Sequence, residues 1–289
     1  MQENKLEMKD IVPELLRRTE IPCMRLKLVD TTPGIAESKF GGRGYVPHDA
    51  AIPTNSDGVQ MRLLAQIDCQ QITIPDFPTS GLLQFWAIND DLTGCNFDNN
   101  TEQKDFRICY YETVDPTVTE EEVAAKEGNN LPCEEDFFPI EGCFGLKFEQ
   151  TTDRMSMCDY HFWEKIEQFM REFYPEQAEQ LLADEDAKEA FEEELEEYLD
   201  EQDEQDETPD WMPDAFGHKI GGYPGFSQED PRDIAAEDDH DVLLLQIDTD
   251  EAGEREIMWG DSGVANFFIS RENLKQRNFQ DVIYTWDCC

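Results

Sequence analysis

Basic residues are scarce in this chain: 23 Lys and Arg stand against 67 Asp and Glu in 289 residues, a formal charge of −44. Sequence-blind binding to a phosphate backbone needs a basic surface, so no nucleic-acid partner is expected, and the same charge disfavours docking on anionic membrane. No apolar run approaches the roughly 18 residues of a spanning helix, and the opening MQENKLEMKD lacks the apolar stretch of a secretory signal. The expected location is the cytoplasm. Histidine is rare as well: His48, His161, His218 and His240 are the full set, and none stands in H-E-x-x-H spacing. The nine cysteines include no C-x-x-C pair, so neither a zinc site nor a dithiol redox centre is signalled. No metal and no cofactor are expected. Cys109 in FRICYYE and Cys143 in GCFGLKF lie in apolar, strand-like runs, where a reduced thiol behaves as a small hydrophobe.

What is present suffices for a core. Hydrophobic residues make up 39% of the chain and aromatics 11%, which argues against wholesale disorder in spite of the charge. The chain also resembles itself. Lys39-Phe-Gly-Gly42 recurs as Lys219-Ile-Gly-Gly222, and 24 residues after each second glycine comes a glutamine, Gln66 in LLAQID and Gln246 in LLLQID. Gly81 and Gly263, each preceded by serine, follow 15 and 17 residues later and open the runs LLQFWAI (82–88) and VANFFI (264–269). RICYYE (107–112) and VIYTWD (282–287) form a weaker third pair. These runs are short, apolar and rich in β-branched or aromatic residues, the pattern of buried strands. Two units, 38–112 and 218–287, are expected to pack about a pseudo-twofold axis, because neither has enough apolar surface to bury alone.

Between the units, CFGLKFE (143–149) reads as one more strand. Phe162, Ile166, Phe169 and Phe173 follow at helical spacing and share one face, and Pro175 ends that helix. A second helix is expected from about Glu176 to Leu199. The segment 184–210 carries 16 Asp and Glu against one Lys and reads as a solvated helix face running into an acidic linker. Thr119-Glu-Glu-Glu122 reads as a capping box before a short helix. Ile11, Leu15 and Leu16 suggest another helix near the N-terminus, with Pro13 in its first turn.

Taken together, SKFGG (38–42), PDFPTSGLLQFWAINDD (75–91), GHKIGGYPGF (217–226), MWGDSGVANFFI (258–269) and NFQDVIYTWDC (278–288) resemble the YwqG-like family, a bacterial group without an assigned biochemical activity. The resemblance spans nearly the whole chain as one domain, 1–289. It implies an α+β fold: an internally duplicated β-rich core with covering helices and, here, an acidic helical insertion over about 158–210. It implies no catalytic residue set. One departure stands out, since the family's Gly-Gly-x-Pro is kept as Gly221-Gly-Tyr-Pro224 but reads Gly41-Gly-Arg-Gly44 in the first loop.

Gly260-Asp-Ser-Gly263 matches a protease-like run, but no histidine stands in the context that would make the serine a nucleophile, and the repeat already accounts for the Ser-Gly pair. The Asp248–Gly253 stretch starts like a calcium loop, lacks the closing glutamate, and reads as a hairpin turn. The better candidates are the paired glycine loops. Successive backbone N–H groups in glycine turns can form an anion-binding nest, with a lysine adding charge. This makes Lys39, Gly41, Gly42, Lys219, Gly221, Gly222 and Tyr223 candidate ligand-binding residues. Gln66 and Gln246 interrupt apolar strands and need partners, either backbone in the opposite repeat or a ligand. Trp259 and Asp261 could edge a cleft.

The leading expectation is a binding or protein-interaction module that engages a basic protein partner, in the manner of an immunity protein neutralising a basic toxin. The alternative is a small-molecule or anion-binding protein, or an unrecognised enzyme, with a cleft between the repeats. That alternative requires Lys39, Lys219, Gln66, Gln246, Trp259 and Asp261 to converge.

Overall fold

Apolar runs unbroken by alternation call for strands covered on both faces, and the computed structural model builds its core from them. It describes residues 7–128, 138–203, 208–232 and 239–288. Ten strands form one antiparallel sheet. At its centre, β1 (Ile21–Val29) pairs with β6 (Cys143–Asp153) from Ile21↔Asp153 to Val29↔Gly145. On one side of this pair follow β2 (Lys39–Gly41), β3 (Arg62–Asp68), β4 (Leu82–Ala87) and β5 (Phe106–Tyr111). On the other follow β7 (His218–Gly221), β8 (Val242–Asp248), β11 (Val264–Ile269) and β12 (Val282–Asp287). A separate hairpin, β9 (Asp250–Ala252) with β10 (Arg255–Ile257), turns through Gly253.

The flanks share their registers. Lys39 pairs with Gln66 as Lys219 pairs with Gln246, and Gln66 faces Gln84 as Gln246 faces Asn266. Both outer pairs carry a register shift, near Leu63/Ala65 and near Phe267/Phe268. The sheet curls so that its ends meet across the core: Phe85 lies 4.8 Å from Phe267, and Phe106 lies 5.1 Å from Tyr284. Tyr284 N–H donates to Asn100 O at 2.9 Å, which covers part of an otherwise open edge.

The helices cover this sheet. In α1 (Met8–Arg18), Ile11, Val12, Leu15 and Leu16 are buried, and Pro13 sits inside the helix, beyond the first turn expected for it. Thr119 caps α2 (Glu120–Ala124) by accepting from Glu122 N–H. In α3 (Phe162–Phe173) the face of Phe162, Ile166 and Phe169 is buried, whereas Phe173 is 40% exposed beneath the Arg18 guanidinium. Pro175 both stops α3 and starts α4 (Pro175–Leu182) at a position where its missing N–H costs nothing. The expected second helix is thereby split, and α5 (Glu185–Asp203) lays Leu195 and Leu199 against α1. Residues 204–207 of the acidic segment lie outside the described residues. The last helix, α6 (Arg271–Gln276), is capped by Ser270 and closed by Arg277 in the left-handed region.

Cys23, Cys69 and Cys95 lie in this core, and burial pushes their thiols up to about 11, about 12 and about 12. An unfolded chain releases such protons near about pH 8.5, so these thiols stabilise the fold fully below that pH and lose the contribution as pH rises through their folded values. Urea midpoints measured under reducing conditions should therefore fall between about pH 8.5 and 11. A flat series would contradict their burial.

Candidate functional site

Each glycine loop follows a short strand whose lysine points into the protein: Lys39 is 2% exposed and Lys219 fully buried. Gly41, Gly42, Gly221 and Gly222 all have positive φ, between 66° and 73°. A side chain at Gly42 would meet the Cys143 sulfur at 2.7 Å, and one at Gly222 would meet Asp153 Oδ2 at 2.5 Å. Glycine is thus required twice over at these turns, by conformation and by space.

The two glutamines hold these loops. Gln66 Nε2 donates to Ile35 O and Glu37 O at 2.9 and 2.8 Å, and its Oε1 accepts from Tyr45 N–H at 2.7 Å. Gln246 does the same with Ala215 O, Gly217 O and Gly225 N–H. Gln84 and Asn266 complete the pattern by donating to Tyr45 O and Gly225 O, each at 2.8 Å. The glutamines therefore bind the loop of their own flank, which corrects the expectation that they reach the opposite repeat.

The lysines differ. Lys219 Nζ donates to Asp153 Oδ2 at 2.9 Å and to Asp214 O at 3.1 Å, inside a fully buried ion pair. Tyr223 N–H donates to the same Asp153 oxygen at 3.1 Å. Lys39 Nζ donates to Gly34 O at 2.6 Å and Arg43 O at 3.1 Å. Among the described residues no carboxylate lies within ion-pair reach of it; the Cys143 thiol group exerts the strongest attraction on it, ahead of the longer-range Glu120 and Glu37. Burial pulls both ammonium groups below their ordinary range, and Asp153 opposes that pull only at Lys219.

Lys39 borders a cavity of about 660 Å³. Its walls come from the loop (Gly42–Gly44), Met61 and β3 (Leu63), β4 (Trp86), α2 (Glu120, Val123) and the segment around Ile140 and Cys143. Arg43 binds Glu127 through two hydrogen bonds, 2.7 and 3.1 Å long, and Glu120 through one of 3.1 Å, which fastens the loop to the α2 region. Arg62 also lines the cavity, its guanidinium 4.2 Å from the centre of the Phe138 ring. The Cys143 thiol is half-buried on the wall, and burial raises it in spite of nearby Lys39 and Arg255. Gly44 explains the departure from Gly-Gly-x-Pro: a side chain there would meet Trp86 at 2.7 Å and Leu63 at 3.0 Å. The large indole takes the room that a proline ring would need.

Lys39 and Gly42 are thus brought to one cavity, while Lys219 and Gly222 close on Asp153 with Tyr223. Trp259 is 1% exposed, packed in the core 6.0 Å from Trp286, and Asp261 is exposed on a turn. The six residues required by a cleft between the repeats do not converge; the cavity lies inside the first flank. Cys143, Trp86, Arg43, Glu120, Glu127 and Asp153 carry the site's geometry without having been singled out as ligand candidates. Only the Gly41-Gly-Arg-Gly44 departure pointed at their neighbourhood.

Residues 38–288 match the family model described as a domain of unknown function, DUF1963. The chain belongs to the DUF1963 family. The match contains both glycine loops and the intervening helices, while α1 and the central strand β1 precede it. No curated protein matches the chain. Among the described residues no group of three or more His, Cys, Asp or Glu could hold a metal ion, and no helix is long and apolar enough to cross a membrane.

Proposed function

We propose that this DUF1963 protein is a YwqG-like member, built by duplication of a loop-and-strand unit, and that it binds a small anionic, partly apolar molecule in the cavity beside Lys39. Duplication is supported by the shared registers and by the matching glutamine clamps. The binding reading rests on one observation: Lys39 is a buried cation with no carboxylate among the described residues in ion-pair reach, on the wall of a cavity large enough for a small molecule. An unpaired buried charge is costly, so its retention calls for a compensating anion. Trp86, Leu63, Met61 and Ile140 offer an apolar surface for the rest of such a ligand.

A thermal-shift screen of amphipathic anions against the native protein and Lys39→Met tests this. Saturable stabilisation of the native protein alone is expected, because a ligand that binds only the folded state must raise its stability. Equal stabilisation of both proteins would defeat the reading.

A second reading is favoured by α5, whose Glu189, Glu193, Glu196, Glu197, Asp200 and Glu201 stand exposed on a helix anchored through Leu195 and Leu199. This face is a docking surface for a basic protein, and the interaction is immunity-like in its charge logic. A pull-down at low salt with the native chain, but not with these six residues changed to Gln, is the expected result. Recovery of the same basic partner by both chains would count against it.

A further inference from the structure

Building on the reading of the Lys39 cavity as an anion site, we infer that Cys143, on its wall, is a site of oxidative modification: as the sulfinate, its side chain supplies the anion beside Lys39 and shuts the cavity to a ligand. The second flank shows the arrangement. There Asp153 stands over Gly222, and its Oδ2 takes hydrogen bonds from Lys219 Nζ at 2.9 Å and Tyr223 N–H at 3.1 Å. A β-carbon added at Gly222 would meet Asp153 Oδ2 at 2.5 Å and its Cβ at 3.0 Å; one added at Gly42 would meet Cys143 Sγ at 2.7 Å and its Cβ at 2.8 Å. The place over each glycine is taken by a methylene that carries a carboxylate in one flank and a thiol in the other.

A cysteine sulfinate has the outline of aspartate, one methylene bearing two oxygens that share a negative charge. Lys39 can receive it. The ammonium is 2% exposed, has no carboxylate among the described residues in ion-pair reach, and spends two of its three donors on Gly34 O and Arg43 O. The strongest attraction acting on it comes from Cys143. An unpaired buried ammonium is costly, so an anion formed on the Cys143 sulfur is stabilised there as Asp153 is beside Lys219.

Cys23 is the internal contrast, since it pairs with Gly221 as Cys143 pairs with Gly41. Cys23 is fully buried, and burial together with Asp153 pushes its thiol up to about 11. Cys143 is half-buried on the cavity wall, where Lys39 and Arg255 oppose the upward push of burial. The oxidant is a hydroperoxide such as hydrogen peroxide. The thiolate sulfur attacks one peroxide oxygen, the S–O bond forms as the O–O bond breaks, and the departing hydroxide leaves as water with the proton the thiol gave up. The sulfenic acid so formed takes a second oxygen from a second peroxide, again releasing water, and the sulfinic acid loses its proton. At each step sulfur is oxidised by two electrons and one peroxide is reduced. Thiols reverse the first step, whereas the sulfinate persists without a dedicated reductase. An incoming anion then meets a neutralised cation and a like charge.

The test treats the full native chain and Lys39→Met with hydrogen peroxide and follows each cysteine by peptide mass spectrometry. In parallel, thermal unfolding with and without 3-phenylpropanoate compares the native chain, Lys39→Met, Cys143→Asp and the double variant. Cys143 should gain two oxygens while Cys23 stays reduced, and Lys39→Met should slow that gain at least about threefold. Cys143→Asp should lose the stabilisation by 3-phenylpropanoate, and Lys39→Met should lower the unfolding midpoint of Cys143→Asp but not that of the native chain. A Cys143 that stays reduced, oxidation at the same rate in Lys39→Met, or equal stabilisation of Cys143→Asp and native by 3-phenylpropanoate would overturn the inference; a Lys39-dependent response of the native chain would keep the anion reading standing. Lys39-dependent oxidation with no stabilisation of the native chain would uphold the modification site and count against the anion reading alone. Should Cys143→Asp fail to fold, the peroxide comparison decides; should Lys39→Met fail to fold, Lys39→Gln provides the same comparison.

Discussion

Lys219→Met should cost the protein about 3 kcal/mol, the lower end for a broken buried ion pair, because it leaves the Asp153 carboxylate buried without its ammonium while the Arg25 guanidinium stays 3.7 Å from its other oxygen. Lys39→Met should change stability by no more than about 1 kcal/mol, and in the favourable direction, since it removes a buried cation that no carboxylate among the described residues pairs with and leaves only carbonyl oxygens short of a donor. The two lysines occupy the same register beside the same kind of loop, with 2% and 0% exposure. Position alone would make the substitutions equivalent. Urea unfolding of both variants at neutral pH decides it: equal losses would mean that Lys39 has a structural partner as good as Asp153. A lysine that can be removed without loss of stability is one retained for something other than the fold.

Gln66→Leu should be the other severe change, at about 4 kcal/mol. Four hydrogen bonds are lost: the buried ones from Tyr45 N–H and from the Gln84 side-chain amide, which donates to Gln66 Oε1 at 2.7 Å, and the part-buried ones to Ile35 O and Glu37 O. Each unsatisfied group costs roughly 1–3 kcal/mol in a buried setting, less whatever the loop recovers by relaxing toward water. Gln66→Glu should be no better, because it turns the donating end into a second acceptor facing two carbonyls. A thermal-unfolding midpoint close to that of the native protein in either variant would show that the glutamine does not hold the loop. The effect on the site is direct, since the Lys39–Tyr45 loop is the wall that the glutamine fixes in place.

The strands were legible because they are buried on both faces. LLQFWAI and VANFFI coincide with β4 and β11 nearly residue for residue, both buried throughout, and the closing VIYTWD is β12. β1 escaped notice for the opposite reason: IPCMRLKLV mixes charges into an edge-like pattern, although it is the central strand. Its Arg25 reaches polar partners in the segment before β7 and its Lys27 pairs with Glu149 of β6, so centrality in the sheet did not demand an apolar sequence. The site was legible as two loops but not as two different loops. What separates Lys39 from Lys219 is Asp153, which stands 66 residues away from Lys219 at the end of a polar stretch. Only the pairing of β1 with β6 brings it there. The convergence expected of Gln66, Gln246 and Trp259 failed because each side chain is spent on the protein's own backbone or core.

The account's central claim is that the buried Lys39 ammonium holds a small, partly apolar anion in the cavity it borders. The most direct measurement is a crystal structure of the native protein grown with a saturating aryl-alkyl monocarboxylate such as 3-phenylpropanoate. The account predicts its carboxylate in hydrogen-bond contact with Lys39 Nζ, at about 3 Å, with the ring against Trp86. A ligand bound elsewhere, with Lys39 still held only by Gly34 O and Arg43 O, would contradict it.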